Sequence, residues 1–201
     1  MASSRRLGAP DAKNRAVLLD ATERLLLEEG YAAVSSRRVA AAAGLKPQLV
    51  HYYFRSMDEL FMAVLQRRSE EALRYQAEAL ASPQPLWALW EFSTELEPSS
   101  LTMELVGLAS QRKTIRAEIA RYADQFRRDQ LEVVSDLVRR YEVDTDEFSA
   151  GALVVIMTGV SRIIMMEKAL GMSTGHDDAL ALVERHIERL EGPRDVSLRP
   201  S

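Results

Sequence analysis

Residues 35–54 read SSRRVAAAAGLKPQLVHYYF, and this stretch decides the fold. Ser35 or Ser36 suits the cap of a short helix whose inward positions are Val39, Ala40 and Ala43, and Gly44 stops it. After Gly44-Leu45-Lys46, Pro47 fits a first helical position, because an N–H there has no intrahelical acceptor to lose, and a third short helix is predicted over 48–54. Two short helices around a glycine turn follow the helix-turn-helix plan, in which the second helix enters a major groove. Short helices joined by glycine are common in helical bundles, so the outer face carries the weight. Lys46, Gln48, His51, Tyr52 and Tyr53 place a cation, an amide and aromatic hydroxyls on two turns, groups that reach phosphates and base edges.

The charge pattern around this stretch agrees. Between Glu29 and Asp58 there is no acid, while Arg37, Arg38, Lys46 and Arg55 all occur. Such a window suits a polyanion, although a solvated basic face that binds nothing has the same composition. The formal net charge of -4 conceals two halves of opposite sign: residues 1–68 carry 11 Lys/Arg against 7 Asp/Glu, and residues 69–201 carry 15 against 23.

Working outward, every readable period is helical and no alternating run is long enough for a strand, so an all-α fold of about nine helices is predicted. A first helix over 11–29 turns Val17, Leu18, Ala21, Leu25 and Leu26 inward and ends at Gly30. Ser56 with Glu59 forms a capping box that opens a long helix to about residue 80, with Leu60, Phe61, Val64 and Leu65 inward. Ser82-Pro83-Gln84-Pro85 breaks it. Helices near 86–96, 99–111 and 114–141 follow, the last with a stripe of Ile115, Ile119, Tyr122, Phe126, Val133, Leu137 and Tyr141. A second capping box, Asp144 with Glu147, precedes a helix to about residue 168 that is apolar on nearly every side, predicting burial on two sides. Thr174, with Asp177 three residues on, is the expected cap of a final helix over 177–191.

At this point the text around Ala21-Thr22-Glu23-Arg24-Leu25-Leu26-Leu27-Glu28-Glu29-Gly30-Tyr31, followed by SRRVAAAAGLKPQLVHYYFRSMDELF, resembles the N-terminal domain of the TetR family of bacterial transcriptional regulators over residues 13–65. The resemblance implies a flexible arm (1–12), a helix-turn-helix DNA-binding domain (13–57), a helical effector-binding and dimerisation domain (58–191) and a loose tail (192–201). It implies a repressor that binds a palindromic operator in double-stranded DNA as a homodimer and is released by a small, largely apolar effector. Carried over by position, Ser36 corresponds to the hydroxyl that caps the second helix and touches phosphate, and Arg37 to a residue that reaches a base. Arg38, Lys46, Pro47, Gln48, His51, Tyr52, Tyr53 and Arg55 complete the implied DNA-binding set. Met57 departs from the pattern, since the family usually places there a lysine that pins a phosphate.

For the body, the same resemblance makes Trp87, Trp90, Met103, Phe126, Met157 and Met165 candidates for an effector pocket, although buried aromatics are most often plain core. It makes Leu153, Ile156, Gly159, Val160, Ile163, Val183, Ile187 and Leu190 candidates for a dimer interface. Arg162 interrupts the apolar helix, and a buried guanidinium must be paired: with an acid of the same chain, across a dimer, or with a ligand carboxylate, structural pairing being the commoner use.

Other classes find little support. There is no cysteine, no GxSxG elbow, no glycine-rich phosphate loop and no His-x-x-x-His pair, so an enzyme is not expected. No cofactor and no metal are expected either: His176-Asp177-Asp178 reads as a helix N-terminus, and His186 with Glu184 or Glu188 lacks a third convergent ligand. An architectural DNA-binding protein would not need 130 acidic, apolar residues downstream. The N-terminus lacks a secretory h-region. The longest uncharged apolar run, residues 148–161, is shorter than a membrane span, so no membrane partner and a cytoplasmic location are expected.

Overall fold

The computed structural model describes residues 9–95, 99–142 and 149–195. Among them are nine α-helices and no strand, as the periodicity predicts. In chain order these are α1 (Ala9–Glu29), α2 (Ser36–Ala42), α3 (Pro47–Tyr53), α4 (Met57–Leu80), α5 (Pro85–Glu95), α6 (Ser99–Gln111), α7 (Lys113–Arg140), α8 (Ala150–Ala169) and α9 (His176–Glu191), with a 3-10 turn at Tyr31–Ala33. The helix α1 starts inside the segment expected as an arm, because Pro10 in its first turn has no N–H to waste. The Asp144–Glu147 capping box lies outside the described residues. Instead, Ser149 caps α8, its Oγ accepting from the Ala152 N–H at 3.2 Å.

The chain divides into two compact units. One takes the described residues up to Ser69 together with Ser100–Ile119; the other takes Glu70–Ser99 and the described residues from Ala120 on. In the first, α1 turns Leu18, Leu19, Leu25 and Leu26 onto Val39, Ala40, Val50 and Phe54 of the short helices. Leu60, Phe61, Val64 and Leu65 of α4, Leu101, Leu105 and Leu108 of α6 and Ile115 close the core. Each set repeats at three- and four-residue steps, which puts one helical stripe inward. Thr22, fully buried, donates to the Leu18 carbonyl at 2.7 Å, so its hydroxyl is satisfied. At the α1–α4 edge Arg67 donates to Asp20 and Glu23, both at 2.6 Å. Burial works against the Arg67 charge, but the bonds to Glu23 and Asp20 outweigh it and hold its pKa above the ordinary value.

The second unit packs Leu86, Trp87, Leu89 and Trp90 of α5 against Val134, Leu137 and Val138 of α7, Val154 and Met157 of α8, and Val183 and Ile187 of α9. The Gln76 amide sits in this unit fully buried, donating to the Phe126 carbonyl at 3.2 Å and accepting from Gln130 at 2.8 Å. Gln130 fills the gap in the α7 stripe between Phe126 and Val134, and Val134 rather than Val133 is the residue fully enclosed. The expected loose tail is tied down at its start. Gly192 accepts from the Trp87 indole at 2.9 Å, Pro193 accepts from Gln84 at 3.0 Å, and the Asp195 N–H donates to Gln84 at 2.8 Å.

Candidate nucleic-acid interface

Local chemistry builds the α2–α3 pair residue by residue. Ser35, in extended backbone, is the cap of α2: its Oγ accepts from the Arg38 N–H at 3.4 Å. Ser36 is therefore the first helical residue and not the cap, a correction of the role the resemblance implies; two adjacent serines left the choice open. At the other end Arg24 of α1 donates to the Ala42 carbonyl at 3.0 Å, a cation on a helix C-terminus. Gly44 takes φ +66, and nothing lies within 4 Å of where a Cβ would sit. Backbone conformation, and not crowding, is what calls for glycine there. The Leu45 N–H then returns to the Ala40 carbonyl at 2.9 Å, and Lys46 turns extended to start α3 with Pro47 in its first turn.

This geometry sorts the side chains by face. Val50 and Phe54 point into the core, and the Arg15 guanidinium lies 5.3 Å over the Phe54 ring. Gln48, His51 and Tyr52, spaced three and four apart, are exposed on the opposite face, beside Lys46 and Pro47. Tyr53 is half-buried and meets Tyr52 edge-on, centroids 5.0 Å apart at 86°. Ser36 is half-buried, and Arg37, Arg38 and Arg55 are exposed.

Three flanking acids, Glu29, Asp58 and Glu59, each have a partner, and for Glu29 and Glu59 it is a residue of the candidate set itself. Glu29 pairs with Arg38, Asp58 pairs with Arg112, and Glu59 turns back to accept from the Arg55 N–H at 2.8 Å while its own N–H donates to Ser56 Oγ at 3.1 Å. The Ser56–Glu59 capping box predicted from sequence thus removes a carboxylate from the outer face. Met57, at the start of α4, is half-buried against the first core, so packing there replaces the lysine charge of the family pattern.

The comparisons with known proteins bear on this pair of short helices with a polar outer face. Residues 18–64 match the family described as "Bacterial regulatory proteins, tetR family". Residues 18–64 form a tetR-family N-terminal domain. Similar solved structures extend the likeness in fold beyond the tetR-family domain. A protein from Rhodococcus sp. described as a TetR-family transcriptional regulator is 19% identical, with a TM-score of 0.71, over 89% of this chain and 99% of that one. A TetR transcription regulator from Haloarcula marismortui is 19% identical with a TM-score of 0.70, over 89% and 98%. A transcriptional regulator from Saccharomonospora viridis in complex with choline is 20% identical with a TM-score of 0.71, over 88% and 96%. No curated protein sequence matches the chain significantly. The chain thus has the fold of the tetR-family transcriptional regulators it is similar to, and residues 18–64 carry that family's match.

In the body of this tetR-type fold the expected pocket residues do not converge. The Trp87 and Trp90 indoles are buried and point their N–H groups at Gly192 (2.9 Å) and Glu184 (3.3 Å). Phe126 stacks on Phe92, centroids 6.5 Å apart. Met165 is half-buried, and Met103 belongs to α6 in the first unit, its side chain outside the described residues. Of the five with described side chains, Met157 lines the cleft between α5, α7 and α8, with Leu89, Ser93, Gln130, Val134, Val154 and Thr158. That cleft holds about 10 Å³, room for about one water.

The expected interface residues also divide. Val183 and Ile187 are buried within the second unit, and Leu153, Val160 and Leu190 pack half-buried against its core. Ile156 and Ile163 are exposed at 47% and 54%, joined by Val155 and Met166, and nothing lies within 4 Å of a Cβ built on Gly159. The helix α8, long and apolar enough by composition to cross a membrane, is thus covered on one side only, by Val154, Met157, Ser161 and Ile164. This corrects the expectation of two buried sides, because a single chain supplies neighbours for one. Arg162, one turn on from Thr158, is exposed and pairs with no acid among the described residues. His176 is buried, with Nε2 2.7 Å from a Glu167 oxygen, and the cap of α9 is Gly175 at φ +81 instead of Thr174, since glycine reaches the left-handed region at least cost.

Proposed function

We propose that the protein is a cytoplasmic bacterial repressor that binds a palindromic operator as a homodimer and leaves it when a small, largely apolar effector binds the body. Residues 13–57 act as the DNA-binding domain and 58–191 as the sensing and dimerising one. One observation carries the reading: the outward face of α3 and its approach, Arg37, Lys46, Gln48, His51 and Tyr52, is exposed and polar while the inward face is core. Gln48 and Arg37 are suited to base edges, and Ser36, Arg38, Lys46, Tyr52 and Arg55 to phosphates, with Pro47 setting the start of the reading helix and Tyr53 bracing Tyr52.

Dimerisation is supported by the apolar stripe Val155, Ile156, Ile163 and Met166, which a second copy would cover through a two-fold axis. Sensing is supported by the α5–α7–α8 cleft, whose walls are apolar with a few polar groups. The Saccharomonospora viridis relative in fold holds choline, which supports a small-molecule role for this architecture. Since the cleft now holds about a water's volume, an effector must part its walls, and it shifts the equilibrium only by preferring that opened state. Selection of duplexes from a random pool tests the reading. Enriched sequences should contain an inverted repeat, and enrichment without one would exclude the dimeric reader.

A further inference from the structure

In the second unit, Arg127 feels the charge of Arg162, and neither pairs with an acid among the described residues. Arg127 of α7 lies three residues before Gln130, and Arg162 of α8 lies four residues after Thr158; Gln130 and Thr158 both line the cleft. The Nη1 of Arg127 is buried and has no hydrogen-bond partner. Burial, and then the nearby charge of Arg162, push the Arg127 pKa below its ordinary value. A buried cationic donor left unpaired is costly, and a like charge beside it adds to the cost. An anion placed between the two guanidinium groups would answer both, in the bidentate manner to which arginine is suited.

We propose that Arg127 and Arg162 form the anion-holding end of the effector site, so that the effector is a small amphiphile with a carboxylate at this end and an apolar body entering the cleft beside Met157. This rests on the reading of the cleft as the effector site and adds the chemical class of the ligand.

Octanoate, octanol and octylammonium share a tail and differ only in head group. Calorimetric titration of the full-length protein with each should show octanoate bound about ten-fold more tightly than octanol, with that advantage shrinking as salt rises. Arg162→Gln and Arg127→Met should each reduce octanoate to the level of octanol. Arg127→Met should also raise the melting temperature of the unliganded protein, which a purely structural arginine would not do. Equal affinity for octanoate and octanol overturns the anion site, and if octanol then weakens operator binding, the effector reading stands without it. No binding of octanoate at millimolar concentration overturns it as well. So does a lower melting temperature for Arg127→Met with octanoate affinity unchanged, or a dimer that dissociates in Arg162→Gln while octanoate affinity is unchanged.

Discussion

The backbone N–H of Tyr31 donates a 2.7 Å hydrogen bond to the carboxylate of Glu104, 73 residues away in sequence. The same carboxylate lies 3.2 Å from where a Cβ on Gly30 would sit, and Gln111 donates to the Tyr31 hydroxyl at 3.0 Å. Thus α6 grips the corner where α1 hands over to the helix-turn-helix. Glu104→Ala should leave the Tyr31 N–H without its partner and cost about 1–3 kcal/mol, read as a lower denaturation midpoint. An unchanged midpoint would mean that water serves the N–H equally well.

Met57 stands at the first position of α4, where a helix N-terminus already favours phosphate. Met57→Lys keeps an aliphatic stem for the core and adds a charge at its tip. It should tighten binding to operator and scrambled duplex alike, and steepen the slope of log affinity against log salt by about 0.9 per subunit. Salt titrations of both duplexes measure this, and an unchanged slope on both would place residue 57 away from the DNA backbone.

Arg37→Ala and Gln48→Ala should relax preference at particular base pairs by about 1–3 kcal/mol each. Competition between single-base operator variants measures the effect. A uniform loss across all sequences would instead assign these side chains to phosphates.

On α8, Ile163→Asp puts a charge in the exposed stripe and should turn a dimer into monomers in sedimentation, with little change in the fold of the chain. Gly159→Leu is a sharper probe. The single chain has space for the new side chain, and helix propensity gains about 0.8 kcal/mol over glycine, so a loss of dimer here reports a neighbouring backbone. Overpacking of that contact should cost roughly 1–3 kcal/mol. Wild-type protein that sediments as a monomer at micromolar concentration would remove the interface.

Glu191, at the end of α9, accepts from the Leu86 N–H at 2.9 Å and the Trp87 N–H at 3.1 Å, capping α5. Burial raises its pKa, and the backbone bonds from Leu86 and Trp87 only partly offset this. With the folded pKa above the unfolded one, its contribution is most favourable below the unfolded pKa and is lost as pH rises through the folded pKa. The stability of wild type relative to Glu191→Gln should therefore rise as pH falls from neutrality through the acid range. Parallel thermal melts across that range give the sign, and a gap that moves the other way would show that the caps outweigh burial.

How far the sequence could be read depends on the range of each interaction. The Ser56–Glu59 box, Pro47 at the start of α3 and the inward Val50–Phe54 pair are set by residues within one or two turns, and periodicity with capping chemistry exposes them. The choice between Ser35 and Ser36, and between Thr174 and Gly175, turns on backbone angles that neighbouring residue types leave degenerate. Tyr31–Glu104 and Gln76–Gln130 join distant helices, and nothing local marks them. The burial of α8 is not legible in its composition. An apolar helix advertises how much surface seeks cover but not which molecule provides it, and the same blindness hid the exposure of Arg162. Trp87 and Trp90 read as pocket aromatics in sequence, whereas their indole N–H groups are committed to Gly192 and to Glu184 of α9.

The first unit draws Leu101, Leu105, Leu108 and Ile115 from beyond the Pro83–Pro85 break, across a chain excursion through α5. A gene fusion that grafts residues 1–80 onto another regulator's body would therefore import a head whose floor is left behind in the parent. Swapping specificity between such proteins calls for transplanting two separated segments, or for repainting only the outward residues of α3 on an otherwise untouched chain.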